Sequence, residues 1–138
     1  MSGVSRFGVS LESSLLDRFD RHIKRKGYKN RSEAIRDLIR GFLVVKEWQE
    51  DIETVGILSL VYSHHSRELQ EKLSGMQHDY HEAVISSTHI HLDKHNCLEV
   101  VILKGKSSII QKISERLSST RGVKHGKLIM TTTGTVID

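Results

Sequence analysis

Arg6-Phe7-Gly8-Val9-Ser10-Leu11 alternates strictly, with Phe7, Val9 and Leu11 on one face and Arg6, Gly8 and Ser10 on the other. That period predicts a short strand. Glu12-Ser13-Ser14 is a reasonable helix entry, and Leu15, Phe19 and Ile23 then recur at helical spacing until Gly27 closes the helix. Asn30-Arg31-Ser32-Glu33 opens a second helix. Asn30 with Glu33 three residues later reads as a capping box, with Ser32 as the alternative cap. Ile35, Leu38, Ile39, Phe42 and Leu43 form its apolar stripe, and Arg31, Arg36 and Arg40 lie off it. The helical pattern continues to Trp48, read as an interdomain or dimer packing residue, before the acidic run Glu50-Asp51-Ile52-Glu53.

The pattern then changes. Thr54 to Tyr62 is apolar on both faces, as in a buried strand. From Ser66 to Tyr80, Leu69, Leu73, Met76 and Tyr80 mark a helix stripe. His78 lies roughly 200° round from Met76 and so points away from its own sheet. Ala83–Leu92 and Leu98–Lys104 read as two strands about an Asp93–Asn96 turn. Ile109, Ile110, Ile113 and Leu117 mark a last helix up to Arg121-Gly122, and Val123 to Thr133 supplies a last strand, interrupted by Gly126. The order βαββαβ is the ferredoxin-like arrangement. The class is α+β, with a front module over residues 1–46, a connection over 47–53 and a second domain over 54–138.

Strand, helix and helix in about 46 residues bury too little to stand alone, so the front module is expected as an intertwined dimer with the strand paired to its twin. Charge sharpens this picture. Residues 1–46 carry a net charge of +6 and residues 47–138 one of −2. The basic excess thus lies wholly in the front module, as in a nucleic-acid-binding unit joined to a different domain.

Candidate chemistry lies in the second domain. In a strand, His89 and His91 project on one face with Ile90 on the other. A turn at Asp93–Asn96 folds Cys97 back beside His91, and His78 is a fourth donor eleven residues before His89. Three imidazoles and a thiolate suit a late first-row divalent metal; these residues alone leave zinc open. His81 is a weaker candidate donor, His95 a turn residue, and His64 and His65 end the first strand where they could take excess metal; each is read as a bystander. Tyr62 is read as packing or hydrogen bonding beneath the helix that carries His78.

Composition narrows the setting. The chain has 138 residues, one Cys and no Pro. One thiol excludes an internal disulfide and, kept as a ligand, fits a reducing cytoplasm. No stretch is apolar enough to span a membrane, and no signal-peptide pattern opens the chain.

Residues 1–46 resemble a ribbon-helix-helix DNA-binding module. The resemblance implies that Arg6, Gly8 and Ser10 face base edges in the major groove, while the Asn30-Arg31-Ser32 turn aims backbone amides at a phosphate. The whole chain resembles the NikR family of nickel-responsive transcriptional regulators. The resemblance rests on Asn30-Arg31-Ser32-Glu33-Ala34-Ile35-Arg36-Asp37, His89-Ile90-His91, His95-Asn96-Cys97-Leu98-Glu99 and Arg121-Gly122-Val123-Lys124-His125-Gly126. It implies a homotetramer, a dimer of dimers, on double-stranded operator DNA, with an ACT-like ferredoxin core. It also implies one Ni(II) per subunit, held in a square plane by His89, His91 and Cys97 with His78 of a neighbour. Glu99 would stand behind these ligands, and Glu33 and Asp37 match positions associated with an additional cation. The implied function is a nickel-sensing repressor of nickel-uptake genes.

The alternatives are a regulator of another divalent metal (Cu, Zn or Co), a regulator with an organic effector bound at its ferredoxin-like edges, and a metal-dependent hydrolase. Four protein donors leave a four-coordinate metal no open position, and no nucleophile–base pair is visible, so an enzyme is not expected.

Overall fold

In the computed structural model, which describes residues 3–137, the chain divides into two units, one ending at Ile39 and one beginning at Arg40. The division falls within a single helix, so each unit holds part of it.

The first unit begins with residues 3–12, which form no strand within the chain. The alternation over Arg6–Leu11 predicts a strand, and the difference has a simple cause. A ribbon strand takes its hydrogen bonds from a second strand, and none of the described segments of this chain offers one. Helix α1 (Ser13–Arg25) follows, entered at Glu12 without a side-chain cap. It ends at Gly27, whose φ of 85° is a left-handed value that glycine adopts without strain. There the Lys26 and Tyr28 amides donate to the carbonyls of His22 and Ile23. Helix α2 (Arg31–Gln49) is capped by Asn30, whose Oδ1 accepts from the Glu33 amide at 2.9 Å; Asn30, not Ser32, is the cap. Ile23 and Ala34 are buried, whereas Phe7, Val9, Leu11, Leu15 and Leu38 are exposed. Much of the apolar stripe therefore has no cover within this unit among the described residues.

The second unit takes up the end of α2 and continues as β1 (Glu53–Ser63), α3 (Arg67–Asp79), β2 (Val84–His91), β3 (Asn96–Lys106), α4 (Ser107–Ser118) and β4 (Val123–Met130). The strands form one antiparallel sheet in the order β2-β3-β1-β4, the ferredoxin-like topology. Thr54, Gly56, Leu58, Leu60 and Tyr62 alternate inward along β1. Leu58, Leu60 and Tyr62 pack with Leu69 and Leu73 of α3 and Ile110, Ile113 and Leu117 of α4. Trp48 joins this core and donates from Nε1 to the Thr131 carbonyl at 2.9 Å. It thus serves the second unit's own interior, not the interdomain or dimer packing expected of it.

Among the described residues of the second unit, no helix packs on the opposite face of the sheet. Ile57, Val61, Leu98, Val100 and Ile102 lie half-buried there, and Ile90 and Ile129 are exposed. Gly126 does not interrupt β4, as its sequence position predicts, but pairs with Leu60. Its missing side chain lets α4 approach: a Cβ there would lie 2.7 Å from that of Ser118.

Candidate metal centre and nucleic-acid interface

The β2–β3 hairpin sets the donors. Asp93 closes its turn by accepting from the backbone amides of His95 and Asn96, both at 2.7 Å. These bonds hold the Asp93 carboxyl at about 2. The resulting register puts His91 directly opposite Cys97 and His89 directly opposite Glu99. Opposed residues of an antiparallel pair share a face. His89, His91, Cys97 and Glu99 therefore all project on the helix-bearing side, together with Tyr62, which is paired to Cys97 from β1.

The donors differ in exposure. The rings of His89 and His91 are 5.7 Å apart and exposed, because β2 is an edge strand beyond the cover of α3 and α4. Cys97 is fully buried, and its thiol donates to the Tyr62 carbonyl at 3.3 Å. Burial, with the Glu99 charge adding to it, raises the thiol above its usual range despite the Tyr62 contact. His78 is exposed near the end of α3, while its neighbour Gln77 is buried. Among the described residues, no three His, Cys, Asp or Glu side chains stand together ready to hold a metal. Two imidazoles and a thiol on one sheet face nevertheless match, in donor chemistry, what a late first-row divalent ion takes.

Glu99 ties the surroundings together. Its carboxylate accepts from the Tyr62 hydroxyl at 2.5 Å, from Gln77 Nε2 at 2.6 Å and from the Ser87 hydroxyl at 2.7 Å. Burial alone would raise this carboxyl, but donation from Ser87, Tyr62 and Gln77, with the nearby His89, holds it below the usual range. Burial, then the bond to Glu99, pushes the Tyr62 hydroxyl in the opposite direction. One buried carboxylate thus links β1, β2 and α3 to the strand that carries Cys97. The Tyr62 role was legible in the sequence; those of Gln77 and Ser87 were missed. Ser87 lies two residues before His89, a period-2 signal that could have found it.

In the first unit Arg6, Gly8 and Ser10 are exposed, as are Asn30, Arg31 and Ser32. The Arg31 guanidinium grips Asp20 through two bonds of 2.9 and 2.8 Å, so an acid already holds its side chain. Glu33 is half-buried, and Asp37 accepts from the Tyr28 hydroxyl at 2.7 Å.

Comparison with known proteins agrees with both halves. Residues 5–44 match the model of ribbon-helix-helix proteins of the copG family, and residues 55–131 match that of the NikR C-terminal nickel-binding domain. A relative from Caldanaerobacter subterraneus is 56% identical over 135 residues, covering 97% of this chain and 88% of its own. One from Geobacter sulfurreducens is 56% identical over 135 residues, and one from Thermococcus onnurineus 55% over 132; these alignments cover 97% and 95% of this chain and 97% and 96% of the relatives. All three are named "Putative nickel-responsive regulator". An uncharacterized protein from Thermotoga maritima shares the fold, with a TM-score of 0.52 and 16% identity over 58% of this chain and 99% of its own. Fold and matches together define a transcriptional regulator with a ribbon-helix-helix front, not an enzyme. The chain belongs to the NikR family of nickel-responsive regulators.

Proposed function

We propose that the protein is a nickel-dependent repressor that binds double-stranded operator DNA as a homotetramer and controls nickel-uptake genes in the cytoplasm. One observation carries the reading: the hairpin register that sets His91 opposite Cys97 and His89 opposite Glu99 on one sheet face. His89, His91 and Cys97 of one subunit would hold the ion with His78 of another, one nickel per subunit. His78, exposed on α3, is free to reach across a subunit boundary. When bound, nickel would supply a Lewis-acidic centre to which these side chains of two subunits contribute donors. Glu99 stands behind His89 and fixes Tyr62, Gln77 and Ser87 around it. Glu33 and Asp37 are carried as an additional cation pair by family position alone.

Assembly is supported by the apolar surface that one chain leaves open. Phe7, Val9 and Leu11 fit a ribbon closed by a second copy, and the helix-free sheet face fits burial between subunits. The front module's net charge of +6 supports phosphate contact. Arg6, Gly8 and Ser10 would then meet base edges, while the backbone around Asn30, Arg31 and Ser32 meets a phosphate.

The test is metal analysis of untagged protein combined with operator binding. The expected result is about one nickel per chain, a sulfur-to-nickel charge-transfer band, and DNA affinity that rises with nickel. Tetrahedral zinc as the bound ion, or operator affinity indifferent to nickel, would reject the reading.

A further inference from the structure

Asp20 lies midway along α1, and Arg31 is the first residue of α2. The tight return at Gly27 brings the two side by side. Arg31 Nε donates to Asp20 Oδ1 at 2.9 Å, and Nη2 donates to Oδ2 at 2.8 Å. One guanidinium thus engages both oxygens of the carboxylate. These bonds hold the Asp20 carboxyl below its ordinary range and the Arg31 guanidinium above its own.

The pairing answers a local conflict. The first turn of a helix presents amides without intrahelical acceptors, and here Asn30 takes up that of Glu33. A cation at this positive end is disfavoured, and an acid beside it relieves the conflict. The same end is where the turn over residues 30–32 would meet a phosphate. The front module's net charge of +6 already draws it to any duplex, whatever the sequence. A released guanidinium would add to that pull, because arginine grips phosphate with the same fork of donors that now holds Asp20.

We infer that Asp20 is a positioning residue for DNA recognition: it withholds the Arg31 guanidinium from phosphate, so that this turn meets the DNA backbone through its amides. The inference rests on the reading of the front module as a DNA-binding unit. A single-bonded ion pair at a surface is weak, but parting this one forfeits two charge-assisted bonds held in a planar fork. Phosphate contacts position a protein on the duplex and read no base. Each one withheld lowers affinity for random DNA, where binding is almost wholly electrostatic, more than for an operator that also offers base edges. Asp20 thereby widens the gap between operator and random sequence.

The experiment measures binding of the nickel-loaded, full-length protein to operator and to random duplex DNA over a series of salt concentrations. Asp20→Asn should bind random DNA more tightly, and the slope of log affinity against log salt should steepen by about 0.9 for each Arg31 that newly reaches a phosphate. The ratio of operator to random affinity should fall. Asp17→Asn removes the same charge from an exposed position of α1 and should leave the slope nearer that of the wild type. In an Arg31→Gln background, Asp20→Asn should have no effect beyond that of Asp17→Asn. Elution from heparin, a polyanion without base edges, tests the release of Arg31 separately from the operator reading. Later elution of Asp20→Asn that depends on Arg31 supports the inference even if nickel-dependent operator binding is absent. An unchanged salt slope, or an equal gain in Asp17→Asn or with Arg31 replaced, overturns it while leaving the operator reading intact.

Discussion

Gln77 donates to Glu99 at 2.6 Å, and Gln77 is the residue immediately before His78. The backbone that carries an exposed imidazole on α3 is therefore anchored to the carboxylate opposite His89 on β3. Gln77→Ala removes a buried bond to a charged group, so it should destabilise the protein by about 1.5–3 kcal/mol. It should also loosen α3, and hydrogen exchange across residues 66–82 would show faster exchange there than in β1. Uniform change across both elements would mean that the bond does not anchor the helix.

His78→Ala separates metal capture from response. The side chain is exposed, so folding stability should change by less than about 0.5 kcal/mol. Weak metal binding by His89, His91 and Cys97 should remain, while most nickel-dependent operator affinity disappears. The reason is that a ligand shifts a conformational equilibrium only by its differential affinity for the two states. Operator binding at saturating nickel checks this; full retention would make His78 a spectator.

Cys97→Ser keeps the buried donor to the Tyr62 carbonyl but replaces the soft sulfur. The fold should survive, and the charge-transfer band should vanish together with wild-type nickel affinity. Absorption spectra of the loaded variant decide it. In the native protein, loading should also release a proton and weaken as pH falls, since the thiol must ionise to bind.

Arg6→Ala should lower operator affinity by about 1–3 kcal/mol while leaving binding to random DNA much less affected, because a base-edge contact is lost. Equal losses on both DNAs, measured at one fixed salt concentration, would show Arg6 to be a phosphate contact instead.

Asp51 links the α2–β1 turn to α4. Its carboxylate accepts from the Ser108 amide at 2.8 Å, and it sits at a φ of 56°. The Ser108 backbone and hydroxyl, joined by Ser107, hold its carboxyl below the usual range. A depressed folded value gives stability that is complete above the unfolded value near pH ~4 and is lost as pH falls through the folded one. Asp51→Asn keeps an acceptor and tolerates the backbone, so it should flatten this acid loss while changing stability little at neutral pH. Asp51→Ala should destabilise at all pH values. Urea melts at neutral and acid pH distinguish the two.

The parts of the fold legible in the sequence were those governed by local periodicity. The helices carrying Leu69 and Leu73, or Ile110 and Ile113, follow from apolar spacing, and the Asp93–Asn96 turn predicts the hairpin that pairs His91 with Cys97. What escaped depended on distant partners. Trp48 reads in sequence as an interdomain or dimer packing residue because its acceptor, the Thr131 carbonyl, lies 83 positions away. Gln77 lies four residues after Leu73 on the buried face of α3, but as an amide it does not read as part of that stripe, and its partner Glu99 lies 22 positions away. Gly126 looked like a strand break because nothing local reveals Ser118 above it.

The open apolar edge of the front unit has a genetic consequence. Phe7, Val9 and Leu11 are exposed in one chain, and in the proposed assembly each ribbon would be completed by its twin. A chain with a defective ribbon but an intact sheet domain would still enter assemblies and leave a normal partner unpaired. Where half the chains are faulty, only about one randomly formed pair in four has two sound ribbons. Alleles altered in residues 5–11 should therefore be dominant, whereas alleles that destroy the sheet domain, and with it entry into the assembly, should be recessive.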